Sequence, residues 1–364
     1  MEINKRKVEI LKAIIHSYIE EGEAIGSRTI SKKYNLGVSS ATIRNEMSDL
    51  EELGYLIKPH TSAGRVPSDK AYRLYVDNLL VNKEKNKYYK QIKRILQDEI
   101  NEMDMFLKNS SRILAQLTKY TSLIIAPQFK KSKLKHIQLV SVSKNKVLIV
   151  MIMQNNIVKN VILNLKTPIP EHQLSKISNL LNEKFTGLRL DKIDLQLKKK
   201  IKQEIYSIRN KYDKKIDGLI HLLIHNLNEY NKIDVYSNGI NNMLNFPEYK
   251  DTEKIREFLS FVEDKDNIAK LLLKNSGEDF DITIGHENIF DEIRKCSLIT
   301  ATYKFNGITV GKLGVIGPTR MDYETVIPIV KALSYNVNEI IENNFKEQNK
   351  EWWLWAKKTK RMKM

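Results

Sequence analysis

The residue types best suited to chemistry lie together near the N-terminus. Between Ser39 and Ser48 the chain places Ala41, Arg44, Asn45 and Ser48 one helical turn apart, with Thr42 at their margin. On an α-helix these side chains share a face. Small residues let such a helix sink into a DNA major groove, arginine can fork onto a guanine edge, asparagine can pair with an adenine edge, and hydroxyls reach phosphate or base. The helix N-terminus itself favours an anion. Asp49, Glu51 and Glu52 follow, and phosphate would repel them, so only the first two turns are expected to insert. No Gly-rich phosphate loop and no nucleophile paired with a base is present, which points away from an enzyme.

Such a face needs a scaffold, and the flanking sequence supplies one. Ile43, Met47 and Leu50 fall on the opposite side of the same helix and should pack on two earlier helices. The first of these is marked by Val8, Leu11, Ile14, Ile15, Tyr18 and Ile19 and ends at Gly22. Ser27 is expected to cap the second, which runs to about Tyr34. Gly37 then makes a turn, and Ser39 caps the helix that carries the reading face. Tyr55 to Lys58 reads as a strand and Pro59 to Gly64 as a polar turn, a wing that would set Lys58, His60, Thr61, Ser62 and Arg65 against backbone or minor groove. The expected DNA-contact set is therefore Ser39, Ser40, Ala41, Thr42, Arg44, Asn45, Ser48, Lys58, His60, Thr61, Ser62 and Arg65. Ser68 to Leu80 reads as a helix that closes this winged helix-turn-helix, with Tyr72, Tyr75 and Leu79 inward.

The stretch GEAIGSRTISKKYNLGVSSATIRNEMSDLEELGYLIKPHTSAGRVPSDKAYRLYVD resembles the signature of the heat-inducible transcription repressor family, HrcA, and VGKLGVIGPTRMDYETVIPIV, from Val310 to Val330, is similar to that family's C-terminal motif. The resemblance implies a dimeric repressor of chaperone operons that binds an inverted-repeat operator on double-stranded DNA, is released on heat stress, and depends on a GroEL-type chaperonin. It also implies an α+β multi-domain fold: an N-terminal winged helix, a GAF-like α/β domain, and a helical dimerisation insertion within the latter.

Composition sets the outer bounds. A chain of 364 residues is long for one core. Its single cysteine excludes an internal disulfide framework and fits a cytoplasmic location. No apolar run reaches the length of a spanning helix, and the N-terminus reads as a folded amphipathic helix. The formal net charge is +17, but residues 1–80 carry nearly as many acids as bases, so the argument for DNA rests on local pattern.

The expected domains are 1–81, the winged helix; 82–120, a helical connector; 121–185, the first part of the GAF-like domain; 186–240, the inserted dimerisation domain; 241–345, the second part; and 346–364, a basic tail with three tryptophans. The stripe from Ile92 to Leu117 predicts one long helix, packed within the chain or on a second copy. His136 to Ser143, Lys146 to Met153 and Ile157 to Leu165 predict a meander of strands. Glu171 to Phe185 predicts a helix. Leu298 to Phe305 and Ile308 to Ile316, joined by Asn306 and Gly307, predict a hairpin before a closing helix from Tyr323 to Phe345. The basic insertion needs either the parent domain or a second chain as its partner.

Other chemistry is thin. Asp217, His221 and His225 share a helical face without further metal ligands, His286 beside Glu287 is weaker still, and Cys296 reads as a small buried residue. No metal and no cofactor is implied. A metabolite-responsive winged-helix regulator, with the GAF-like domain as sensor, stands as the alternative. The run VLIVMIM would be an aggregation hazard whenever its domain opens.

Overall fold

The computed structural model describes residues 3–59, 64–81, 88–97, 103–126, 133–153, 158–165, 167–188, 234–274, 278–305 and 308–361. Two compact units emerge, one formed by Met1–Ala126 with Asp234–Phe345, the other by Pro127–Ile233 with Lys346–Met364.

The first unit begins with the expected winged helix. Helix α1 (Lys5–Glu21) is capped by Asn4, whose side chain accepts from the Lys7 amide, and ends at Gly22 with φ of 72°. Helix α2 (Ser27–Lys33) follows, then α3 (Ser40–Glu52), the two-residue strands β1 (Leu56–Ile57) and β2 (Val66–Pro67), and α4 (Asp69–Val81). Ser27 proves to be the first helical residue of α2, whose N-cap is Gly26 without a side-chain bond, so the expected serine cap is corrected. Ile10, Ile14, Ile30, Ile43, Leu50 and Leu56 form the small core between these elements.

The same unit contains an antiparallel five-stranded sheet in the order β7, β3, β10, β9, β8, with β3 (Thr121–Ile125), β7 (Val235–Asn238), β8 (Phe280–Ile284), β9 (Cys296–Phe305) and β10 (Ile308–Pro318). Helices α5 (Tyr89–Gln97) and α6 (Met103–Thr118) precede it. They cover the two ends of the stretch from Ile92 to Leu117 for which one long helix is expected, and residues 98–102 between them lie outside the described residues. Helices α8 (Thr252–Glu263) and α9 (Lys265–Leu273) follow β7, and α10 (Tyr323–Arg361) follows β10. Ser111 of α6 bonds Ser122 of β3, and Tyr323 of α10 bonds Ser297 of β9, which puts both helices on one face. Leu271 and Leu272 of α9 cover Lys312, Thr300 and Leu298 on the other. The burial of all five β3 side chains follows from this double cover. The β9–β10 pairing is as expected, although its turn at residues 306–307 lies outside the described residues.

The second unit holds β4 (Leu134–Ser143), β5 (Lys146–Met153) and β6 (Val158–Asn164) in a separate three-stranded sheet, with α7 (Glu171–Phe185) packed on it. The sequence placed this meander in the parent domain and began the insertion at 186. The structure separates the two sheets after Ala126, because β3 pairs with β7 and β10 while β4 pairs only with β5. Within β5, Val147, Ile149 and Met151 are buried and alternate with half-buried Leu148 and Val150, the pattern of a strand with one covered face. The helical insertion expected over 189–233, with Asp217, His221 and His225, lies outside the described residues. Among the described residues, no helix is long and apolar enough to cross a membrane, and no group of three His, Cys, Asp or Glu is gathered for a metal.

Candidate nucleic-acid interface

Helix α3 begins at a true cap. The Ser39 hydroxyl accepts from the Thr42 amide at 3.1 Å and lies 3.0 Å from the Thr42 hydroxyl. The side chain therefore satisfies one of the free N–H groups of the first turn. Behind the helix, Ile43 and Leu50 are fully buried and Met47 nearly so. In front, Ala41, Arg44, Asn45 and Ser48 are all exposed, with Ser39 beside them and Ser40 and Thr42 half-buried at the edge. The structure thus brings together seven of the expected residues on one continuous solvent face of a capped helix.

Charged residues hold this helix in place. Lys7 of α1 is almost fully buried, with Nζ 2.7 Å from Glu46 Oε2 and 2.9 Å from Asp49 Oδ2, and Arg6 lies 3.7 Å from the other Glu46 oxygen. The two carboxylates hold the Lys7 ammonium above its ordinary pKa, Glu46 first and Asp49 second. At the other end, Arg65 grips Glu51 through Nε at 2.7 Å and a terminal nitrogen at 2.6 Å. Lys70 donates to the Leu53 carbonyl at 2.9 Å while lying over the Tyr55 ring, and Ser68 donates to the Gly54 carbonyl at 2.7 Å.

These contacts change the reading of two groups. Asp49 and Glu51 are neutralised from within the domain, so they act first as anchors of α3 and only weakly as repellents of phosphate. Arg65 joins the wing root to α3 through Glu51, and its backbone bridges Ile25 as well. Lys58 is exposed at the end of β1. His60, Thr61 and Ser62 lie outside the described residues. Lys7 and Lys70 were missed by the sequence reading, and no local signal marks them, since each pairs with a residue far along the chain.

Elsewhere, Cys296 is buried beside the Tyr249 hydroxyl at 2.9 Å, and burial pushes its thiol up to about 12. His286 and Glu287, weighed above as metal ligands, are instead paired with Asp69 and Arg73.

Known proteins place the chain in a family. The family model for the winged helix-turn-helix transcription repressor, HrcA DNA-binding, matches residues 2–79, and that for the HrcA protein C terminal domain matches 104–327. The chain is 41% identical over 348 residues to a heat-inducible transcription repressor HrcA from Alkaliphilus metalliredigens, covering 95% of this chain and 100% of the relative. It is 40% identical over 347 residues to the one from Clostridium tetani, covering 94% and 97%. A crystal structure of a hypothetical protein shares the fold at a TM-score of 0.67 and 23% identity, over 93% of this chain and 98% of that one. With tandem family models on both parts of the chain and near full-length relatives, the protein belongs to the HrcA family of heat-inducible transcription repressors, DNA-binding proteins and not enzymes.

Proposed function

We propose that the protein represses chaperone operons as a cytoplasmic homodimer that reads an inverted-repeat operator and lets go of it on heating, with a GroEL-type chaperonin restoring the binding form. The observation that carries the reading is the exposed face of α3, in which Ala41, Arg44, Asn45 and Ser48 stand free beside a helix N-terminus while Ile43, Met47 and Leu50 face inward. Arg44 and Asn45 address base edges, Ser39, Ser40, Thr42 and Ser48 address phosphate or base, and Lys58 with His60, Thr61 and Ser62 secures the backbone from the wing. Arg65 serves this set by orienting the wing root. Two copies related by a two-fold axis match a palindromic site.

A metabolite-sensing role is the second reading, for which the sheet domain offers an open depression of about 320 Å³ lined by Phe280, Thr302, Lys304, Lys331 and Tyr335, and a small cavity. The cavity under α9, lined by Lys312, Asp281, Thr283 and Thr300, encloses about 10 Å³. That is room for about one water molecule.

Operator selection from random DNA with the full chain tests the proposal. Recovery of a two-fold symmetric sequence, bound at growth temperature and released on heating, is the expected outcome, with rebinding accelerated by chaperonin. Recovery of unrelated sequences would reject base reading by α3.

A further inference from the structure

The winged helix is fastened to the sheet domain within the first unit at separate points, and the best built of these centres on Arg320, in the segment between β10 and α10. Arg320 is only 7% exposed. Its guanidinium donates to the Ile19 carbonyl at 3.0 Å, pairs with Glu248 in a two-nitrogen grip, and lies 5.3 Å from the centre of the Phe246 ring. Ile19 belongs to the last turn of α1, so the cation meets a carbonyl that the helix itself leaves free, at the negative end of the helix dipole. Gly22 closes α1 in a left-handed conformation, and a Cβ there would lie 3.2 Å from the guanidinium carbon. Conformation and space both call for glycine at this position.

A second anchor uses the same device. Gly285 has φ of 54°, and a Cβ on it would fall 2.0 Å from the Asp69 carboxylate at the start of α4. That carboxylate instead accepts from the His286 amide at 3.0 Å and lies 2.7 Å from the His286 ring nitrogen. Farther along α4, Arg73 pairs with Glu287 and donates to the Ile282 carbonyl at 2.6 Å, and the Tyr75 hydroxyl donates to Glu324 at 2.8 Å. Anchors at the end of α1 and at successive turns of α4 fix an orientation, which a single tether would not do. Through Lys7, Glu46 and Asp49, the orientation of α1 is also that of α3.

We propose that Arg320 is a positioning residue for DNA recognition, setting the direction in which α3 leaves the sheet domain and thereby the half-site spacing that a dimer accepts. The inference rests on the dimeric, inverted-repeat reading above. Half-site separation is a geometric property of a rigid dimer, whereas a domain on a loose tether adapts to many separations and gains less from the second contact. The role differs from base reading because Arg320 lies outside the winged helix, between β10 and α10, and makes its contacts with Ile19, Glu248 and Phe246.

The test uses the full chain as wild type, Arg320→Met, Arg320→Lys and Glu248→Gln. Binding is measured by fluorescence anisotropy to the selected operator, to versions whose centre is lengthened or shortened by one and two base pairs, and to a single half-site. Thermal melts of each variant report folding. For the wild type, a one-base-pair change should weaken binding by about tenfold or more, because avidity is lost when geometry forbids simultaneous contact. Arg320→Met should flatten that profile and lose affinity at the optimal spacing while binding the half-site as the wild type does. Glu248→Gln should flatten it less, and Arg320→Lys should retain part of the preference. Folded variants that keep the wild-type profile, or that bind the optimal operator more tightly, would overturn the proposal. A wild type that binds half-sites but shows no spacing preference would also overturn it, whereas a wild type that binds no DNA would sink the functional reading itself.

Discussion

Ser39 and its neighbours show how little separates a structural residue from one free to meet a partner. Ser39 closes the first turn of α3, whereas Arg44 and Asn45, a turn later, have no structural task and stand exposed. Ser39→Ala should therefore destabilise the winged helix by about 1 kcal/mol in a denaturation experiment. Arg44→Ala and Asn45→Ala should leave stability nearly unchanged and each lower discrimination between operator and scrambled DNA by about 1–3 kcal/mol, read by anisotropy competition. Lys58→Ala should weaken binding to both DNAs alike and reduce the slope of log affinity against log salt by about one. If Arg44→Ala instead lowered stability and spared discrimination, the face assignment would be wrong.

Between helices, the decisive contacts are ionic and partly screened from water. Lys7 lies between Glu46 and Asp49, so Lys7→Met should leave two carboxylates facing each other without their cation and lower the melting temperature together with DNA affinity. Adding Glu46→Gln should recover part of both. Another such joint fixes α5 on α10: Lys93 Nζ lies 2.6 Å from Glu339, and Tyr89 also donates to that carboxylate. Lys93 first, and Tyr89 second, hold Glu339 below its ordinary value of 4.5. A depressed carboxylate contributes stability above its unfolded pKa and loses it as pH falls through the folded one. The α5–α10 joint should therefore loosen below about pH 4.5, seen as faster amide exchange in α5, and Glu339→Gln should remove that pH dependence.

At the scale of the molecule, the winged helix and the five-stranded sheet belong to one compact unit and share side-chain packing, with the Tyr72 and Tyr75 rings 5.9 and 6.5 Å from Tyr323. Damage to the sheet is therefore damage to the DNA-binding part. The lone thiol, Cys296, reports on this sheet, since burial keeps it protonated and covered at neutral pH. Under native conditions a thiol reagent should not label it, and on heating the onset of labelling should coincide with release of operator DNA. Release well before labelling would place the heat-sensitive element elsewhere. In the second unit, the β5 run VLIVMIM is half-covered in the folded state. It should drive aggregation of heated protein, and chaperonin should suppress that turbidity.

What the sequence determined by itself was local. Helical spacing marked α1, α3 and α4, glycine marked the end of α1, serine marked the start of α3, and β-branched runs between short polar turns marked β4 to β6, because these signals act between residues within one turn or one strand of each other. The exposed face of α3 was legible for the same reason: its inward face was apolar, and its outward face followed. Strands β3, β7 and β8 were not singled out, since they are short: β3 is covered on both faces and carries no alternation, and β7 and β8 are half-buried edge strands with little apolar signal. The boundary at Ala126 was likewise hidden, because which sheet a strand joins depends on partners more than a hundred residues away. Charge pairing was the least legible. Among 61 basic and 44 acidic side chains, nothing local couples Lys7 to Glu46, Arg65 to Glu51, or Arg320 to the end of α1. Only the tertiary structure could choose those pairs, because electrostatic partners are selected by proximity in space and by exclusion of water, and both exist only once the chain has folded.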